Sequence, residues 1–343
     1  NDFGASMSAA GTIDADFNNN GTLNLTGFLS ATGATVNIGT VNAGLGDTLL
    51  ASGGTTNIGT VNLTGGNLGG GVLTNSGTVT LSNGGAVSAS SVTNQSVIQG
   101  AGVVASALSN SGGLIHANVS GSSLTLTNLT GNTGGGELRV AEGASINVVN
   151  AFASSGTVDI QGPNAVLLGG AITNTGTMRG QGRVQNTVLN SGTLRTQGGN
   201  LTLSGAGNTN TATGVIEVAD TTEMIVSQGL ATNAGTIALT GGRFDNNNIA
   251  MTNSSSGIIA GRGTVATGGL TNAGAISLAN GNTDMLGTLQ NDLGATVDIN
   301  SATVTFFNTV TNDGTVTSNL STVSFLGGFV NNGTLITDPN VIN

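Results

Sequence analysis

The sequence predicts an all-β chain wound as a parallel β-helix (β-solenoid), with about 20 residues and three short strands in each rung. Three observations carry this. A phrase of the form Asn-x-Gly-Thr-apolar recurs, as in "LTNSGTVTLSNGG" at 73–85, "ITNTGTMRG" at 172–180, "LNSGTLRTQGG" at 189–199, "VTNDGTVTS" at 310–318 and "VNNGTLI" at 330–336. The turn glycines Gly112, Gly136, Gly156, Gly176, Gly192, Gly214, Gly235, Gly257, Gly274, Gly294, Gly314 and Gly333 follow one another at a drifting interval near 20 residues. Finally, 59 of the 343 residues are Gly, about 17% against a usual ~7%, which with the β-branched content argues against helical repeats.

In chain order, residues 1–20 read as an N-terminal segment, either a docking strand or a first rung. From 21 to 343 the chain reads as one continuous solenoid of roughly 17 rungs, because a rung this thin buries its apolar side chains only by stacking. "TVNIGTVN" at 35–42 and "TTNIGTVN" at 55–62 mark two early rungs. The stretch 86–135 keeps the phrase loosely, in Asn94-Gln95-Ser96 and Asn110-Ser111-Gly112, and is expected to carry a bulged loop. Between Gly156 and Gly176 three strands are expected, over 156–160, 165–168 and 171–173, separated by turns at Gly162-Pro163-Asn164 and Gly169-Gly170. Residues 314–333 divide the same way.

The phrase itself reads as a building rule. Its Gly is expected to supply a positive φ. Its Asn is expected to hydrogen-bond up and down the stack as an amide ladder. The residues assigned to this turn and ladder are Asn75, Gly77, Asn174, Gly176, Asn190, Gly192, Asn233, Gly235, Asn272, Gly274, Asn312, Gly314, Asn331 and Gly333. The following Thr is expected to point outward and the next apolar residue inward.

Composition narrows the function. Sixteen acids against six Arg, with no Lys, give a net charge of −10, so the basic stripe a nucleic acid requires is missing. No apolar run is long enough for a membrane-spanning helix, and no membrane insertion is expected. The absence of Cys removes disulfides and thiolate metal sites. No signal-peptide pattern opens the chain, which reads as a processed chain or part of a longer one. An enzyme acting on polysaccharide would need clustered carboxylates or a base, and aromatic platforms for sugar. His116 is the one His, Trp and Tyr are absent, and the acids are scattered. His116 is therefore expected to be an ordinary loop or surface residue. No catalytic residue, metal or cofactor is expected.

Two surface features stand out. Counting three residues past the turn Gly in five consecutive rungs gives Arg139, Asp159, Arg179, Arg195 and Glu217. Neighbouring rungs lie about 4.8 Å apart, so this column is expected to form an exposed charge ladder, pairing Arg139–Asp159–Arg179 and Arg195–Glu217. The sharper alternative is an anion- or partner-docking stripe at Arg179 and Arg195. The charged column also interrupts the outward Thr, such as Thr78/Thr80 and Thr315/Thr317, that an ice-binding face would need. Near the C-terminus, Phe306, Phe307, Phe325, Leu326 and Phe329 form either a larger core or an apolar end surface for a second subunit.

Phrases such as "TNSGTVTLSNGG", "NSGTLRTQGGNLTLSG" and "TNAGTIALTGG" resemble the repeats of bacterial autotransporter passengers and of haemagglutinin-like two-partner secretion proteins. The resemblance covers roughly 20–80 and 136–343. It implies a right-handed parallel β-helix outside a bacterial cell or on its surface, often in adhesion or biofilm. The expected function is an extracellular structural protein that self-associates head to tail into a filament or matrix fibre. The alternative is the shaft of a surface adhesin, and host or polysaccharide surfaces are further expected partners.

Overall fold

The computed structural model describes residues 1–338, so residues 339–343 of the expected solenoid lie outside the described residues. The chain divides into two compact units, 1–171 and 172–343. In each unit the strands pair in parallel with the equivalent strands of the rung before and the rung after. Each unit is a stack of parallel coils, a β-solenoid with a repeat of about 20 residues.

A rung of the first unit is built from alternation. In Thr78–Ala89, Val79, Leu81, Val87 and Ala89 are buried with Gly85, and Thr80, Asn83 and Ser88 lie toward the surface. Stacking places Leu23, Val41, Val61, Val79, Ile98, Ile115, Leu138 and Val158 in one interior column. A second interior column contains Leu29, Leu49, Leu68 and Val87. Residues 6–13 pair in parallel with the strand Thr22–Ala31, and the Asn1 amide donates to Asn19, so the N-terminal segment is a first rung. The stretch 86–135 contains long strands, Val97–Ser111 and Ser123–Thr133, whose mutual register shifts twice, after Val104 and after Leu108.

The second unit repeats the plan. Met178, Leu194, Ile216, Ile237, Ile259, Ile276, Val297 and Val316 share one interior column. Leu201, Met224, Phe244, Val265, Met285 and Phe306 share another. Residues 314–333 form the expected three strands, Thr315–Asn319, Thr322–Phe325 and Phe329–Asn331. In the first unit, residues 156–169 differ from expectation. Thr157–Gly169 is one strand that runs through the corner at Gly162-Pro163, where Gly162 takes a φ of 151°. Pairing with the preceding rung runs to Gln161 and resumes at Val166, on either side of the corner.

The repeat glycine is required for a reason other than the expected one. Gly77 does not occupy the left-handed region, and a Cβ on it would collide with the carbonyl oxygen of Gly59 in the rung before. Gly59 stands in the same relation to Gly39, Gly192 to Gly176, Gly235 to Gly214, Gly274 to Gly257 and Gly333 to Gly314. The constraint is close approach of successive turns. Two marked glycines do adopt positive φ, Gly112 at 79° and Gly294 at 86°. Both lie in longer turns, where the next residue, Gly113 or Ala295, occupies the equivalent place in the stack.

This distinction gives a prediction of sign. At a compatible φ, Gly→Ala stabilises by about 0.4–1 kcal/mol through the unfolded chain. Overpacking costs about 1–3 kcal/mol. Gly77→Ala is expected to lower the urea midpoint, and a raised midpoint would show that the turns can move apart.

Candidate functional site

The phrase's Asn builds an uninterrupted polar spine inside each unit. In the first unit the Nδ2 atoms of Asn19, Asn37, Asn57, Asn75, Asn94 and Asn110 donate to Oδ1 of Asn37, Asn57, Asn75, Asn94, Asn110 and Asn132 at 2.7–2.8 Å. Asn132 then donates to Ser154 Oγ at 3.0 Å. In the second unit the same chain runs from Asn174 through Asn190, Asn210, Asn233, Asn253, Asn272, Asn291 and Asn312 to Asn331. The second Nδ2 hydrogen reaches a backbone carbonyl of the next rung, as from Asn57 to Thr78 at 3.2 Å. These amides are fully buried along most of the column. Buried amides are tolerated where each is satisfied on both sides, as from Asn19 to Asn132; Asn174 Oδ1, which opens the second column, has no hydrogen-bond partner among the described residues.

Asp at such a position keeps the shape and loses both donors. For Asn57→Asp the acceptors Asn75 Oδ1 and Thr78 O would face a buried carboxylate, which raises that carboxyl's folded pKa above its unfolded ~3.9. A raised folded pKa penalises the folded state once pH exceeds the unfolded value. The variant is therefore expected to lose about 2–6 kcal/mol at neutral pH, from two orphaned acceptors at about 1–3 each. Urea titrations should show the deficit shrinking below about pH 4, where a protonated carboxyl regains one donor.

The outer charge column is ordered, and Arg139 takes a partner other than the expected Asp159. Arg139 lies in register with Asp159 but turns along its own strand to Glu137, Nε–Oε1 2.8 Å and Nη2–Oε2 3.0 Å. The fork-to-carboxylate match of a residue two positions away outcompetes the rung above. Asp159 is mostly buried and accepts from Gln161 Nε2 at 2.7 Å. Arg179 and Arg195 are in register, and Arg195 Nε stands 3.6 Å from Glu217 Oε2 with both side chains about half exposed. An ion pair so exposed contributes about 0–1 kcal/mol.

Counting three past earlier turn glycines finds more of this column, which the count over five charged rungs overlooked. Asn24, Asn42 and Asn62 form a second amide ladder on the outside, with Asn42 donating to Asn24 at 2.8 Å and Asn62 to Asn42 at 2.9 Å. The column continues through Thr80 and Gln99 to His116. His116 is thus a strand residue, not a loop residue. It is half-buried beside Arg139, and its Nε2 is buried with no hydrogen-bond partner.

Burial holds the His116 imidazole below its ordinary pKa, helped by the Arg139 charge and opposed by Glu137. The unfolded chain therefore takes up this proton first, so stability is complete above about pH 6.5 and declines as pH falls below it. His116→Gln is expected to flatten that part of the decline, read as a smaller difference in urea midpoint between about pH 7.5 and about pH 5.

A second charged group lies on another strand column. Arg243 Nε is 2.8 Å from Glu223 Oε1, and its Nη2 is 3.0 Å from Asp245 Oδ2. Alternation in "EMIV" and "RFD" carries the signal for it, but the turn-glycine count does not reach that column.

The C-terminal aromatic group divides by burial. Phe306 is core, 2% exposed, and is covered by Phe325 with ring centroids 5.2 Å apart. This corrects its assignment to an end surface: the larger-core reading applies to Phe306. Phe325 stacks on Phe329 at 4.4 Å, both half-buried, while Phe307 and Leu326 are exposed.

Among the described residues no cluster of His, Cys, Asp or Glu could hold a metal ion, and no helix is long and apolar enough to cross a membrane. No protein family, curated protein or solved structure matches the chain.

Proposed function

We propose that this chain is a structural protein of a bacterial exterior, non-catalytic, whose solenoid extends by rung-on-rung contact with further copies of itself. The observation that supports this reading is the direction of the amide spine. Every member donates through Nδ2 toward the following rung, so one side of a rung offers donors and the other acceptors. Such a contact is heterologous, and heterologous contacts that do not close give filaments.

In the proposed contact the last described rung supplies spine and aromatic groups that a stacked copy would meet. Asn331 accepts from Asn312 at 2.7 Å, and its own Nδ2 makes no hydrogen bond among the described residues. Phe325 and Phe329 lie beside it, half-buried, in the columns that continue the interior. A stacked copy would cover both rings and supply an acceptor. The resemblance to autotransporter and two-partner secretion repeats supports an exported location.

Electron microscopy with sedimentation velocity tests the reading. The purified chain is expected to form long uniform fibres, and Phe325→Asp with Phe329→Asp to give discrete particles with unchanged circular dichroism. Discrete particles from the parent chain would overturn self-assembly and favour the shaft of a surface adhesin.

A further inference from the structure

The second unit contains a cleft that neither the amide spine nor rung stacking uses. It arises from unequal corners. From the interior residue to the spine Asn, the chain takes nine positions in Phe244–Asn253, seven in Val265–Asn272 and six in Met285–Asn291. The long corner therefore projects past the two that follow and leaves a step with a volume of 420 Å³. Ligand pockets commonly span about 300–1,000 Å³.

The projecting corner is held rigidly. Asn246 is buried and clamps Leu230, accepting from its backbone N–H at 2.6 Å and donating to its carbonyl at 3.2 Å. Asn247 and Asn248 both adopt positive φ, 53° and 56°, a conformation Asn tolerates better than most residues but still at a cost. The Asn247 side chain ties the corner to Ser227 O at 2.7 Å, and its backbone N–H donates to Asp245 Oδ1 at 2.7 Å. Below it, Gly268 passes so close to the Asn248 carbonyl that a Cβ would collide.

The lining chooses the ligand. Arg243, Asp245, Asn248, Leu286, Thr288 and Asn308 face the step. Glu223 and Asp245 already neutralise the Arg243 guanidinium, so the site has no spare positive charge for an anion. The same guanidinium, fixed between the two carboxylates, excludes a metal ion. Arg243 Nη1 makes no hydrogen bond among the described residues, and the surrounding groups are amides and hydroxyls with two apolar side chains, Ala266 and Leu286. That set matches a ligand carrying many hydroxyl groups and a small C–H face.

We propose that this step binds a neutral saccharide, with hydroxyls on Arg243, Asn248 and Thr288 and a ring face on Leu286. The proposal is independent of self-assembly, because the step lies on the side of the coil.

The test is binding of neutral and acidic oligosaccharide panels to the full chain, followed by calorimetry on the best neutral binder. Asn248→Gly keeps the positive φ and deletes the amide, and Thr288→Tyr fills the step from an exposed position. Both are expected to weaken binding by at least about tenfold, roughly 1.4 kcal/mol, with unchanged thermal unfolding. Binding of acidic sugars alone, no binding of any neutral sugar, or unchanged affinity in both variants would overturn the proposal.

Discussion

The spine of buried asparagines is the constraint on which the rest of each unit depends. An amide that donates twice and accepts once needs partners at fixed heights, so each rung must present its own Asn in register with the last. A one-residue slip would move every inward side chain outward and strand the amides in the core. Register in a parallel stack is otherwise weakly specified when strands are short and turns Gly-rich. The spine replaces the missing specificity, and the close turns that it demands explain why the following Gly cannot carry a side chain. Leu, Val and Ile then need only fill a thin interior, which is why so few aromatic residues suffice.

Interior features were legible in the sequence, because they repeat. The period, the alternation in Thr78–Ala89 and the equivalence of Asn75, Asn190 and Asn312 are all local patterns that a solenoid copies from rung to rung. The reason for the Gly was not legible. A positive φ and a close approach both select Gly, and only the position of the Gly59 carbonyl separates them for Gly77. Gly112 and Gly294 were each one place out of register, since an inserted residue in a turn leaves the same letters in the chain.

Surface features were less legible, for a physical reason. An exposed Arg has several acceptors within reach, and geometry rather than column position selects among them. Arg139 chose Glu137 on its own strand, which a count across rungs cannot anticipate. Arg243 sits on the second strand column, and its two carboxylates come from two different rungs. The step beside it depends on differences in corner length, which appear in the sequence only as noise in the period. What repeats builds the scaffold, and the departures from repetition supply its distinguishing surface.

The spine also bears on how the protein ages. Side-chain amides hydrolyse slowly to carboxylates, fastest where a small residue follows and the backbone is free to fold back on the amide. The spine asparagines are followed by Ser, Thr, Ala or Asp in most rungs, yet the amides within each column are held by neighbours on both sides. Folded, they are protected by the same bonds that set the register. Unfolded, they are not, and a spine position converted to Asp can no longer donate. Each excursion out of the native state thus carries a risk of permanent chemical damage, which makes slow unfolding as valuable to this architecture as a deep energy minimum.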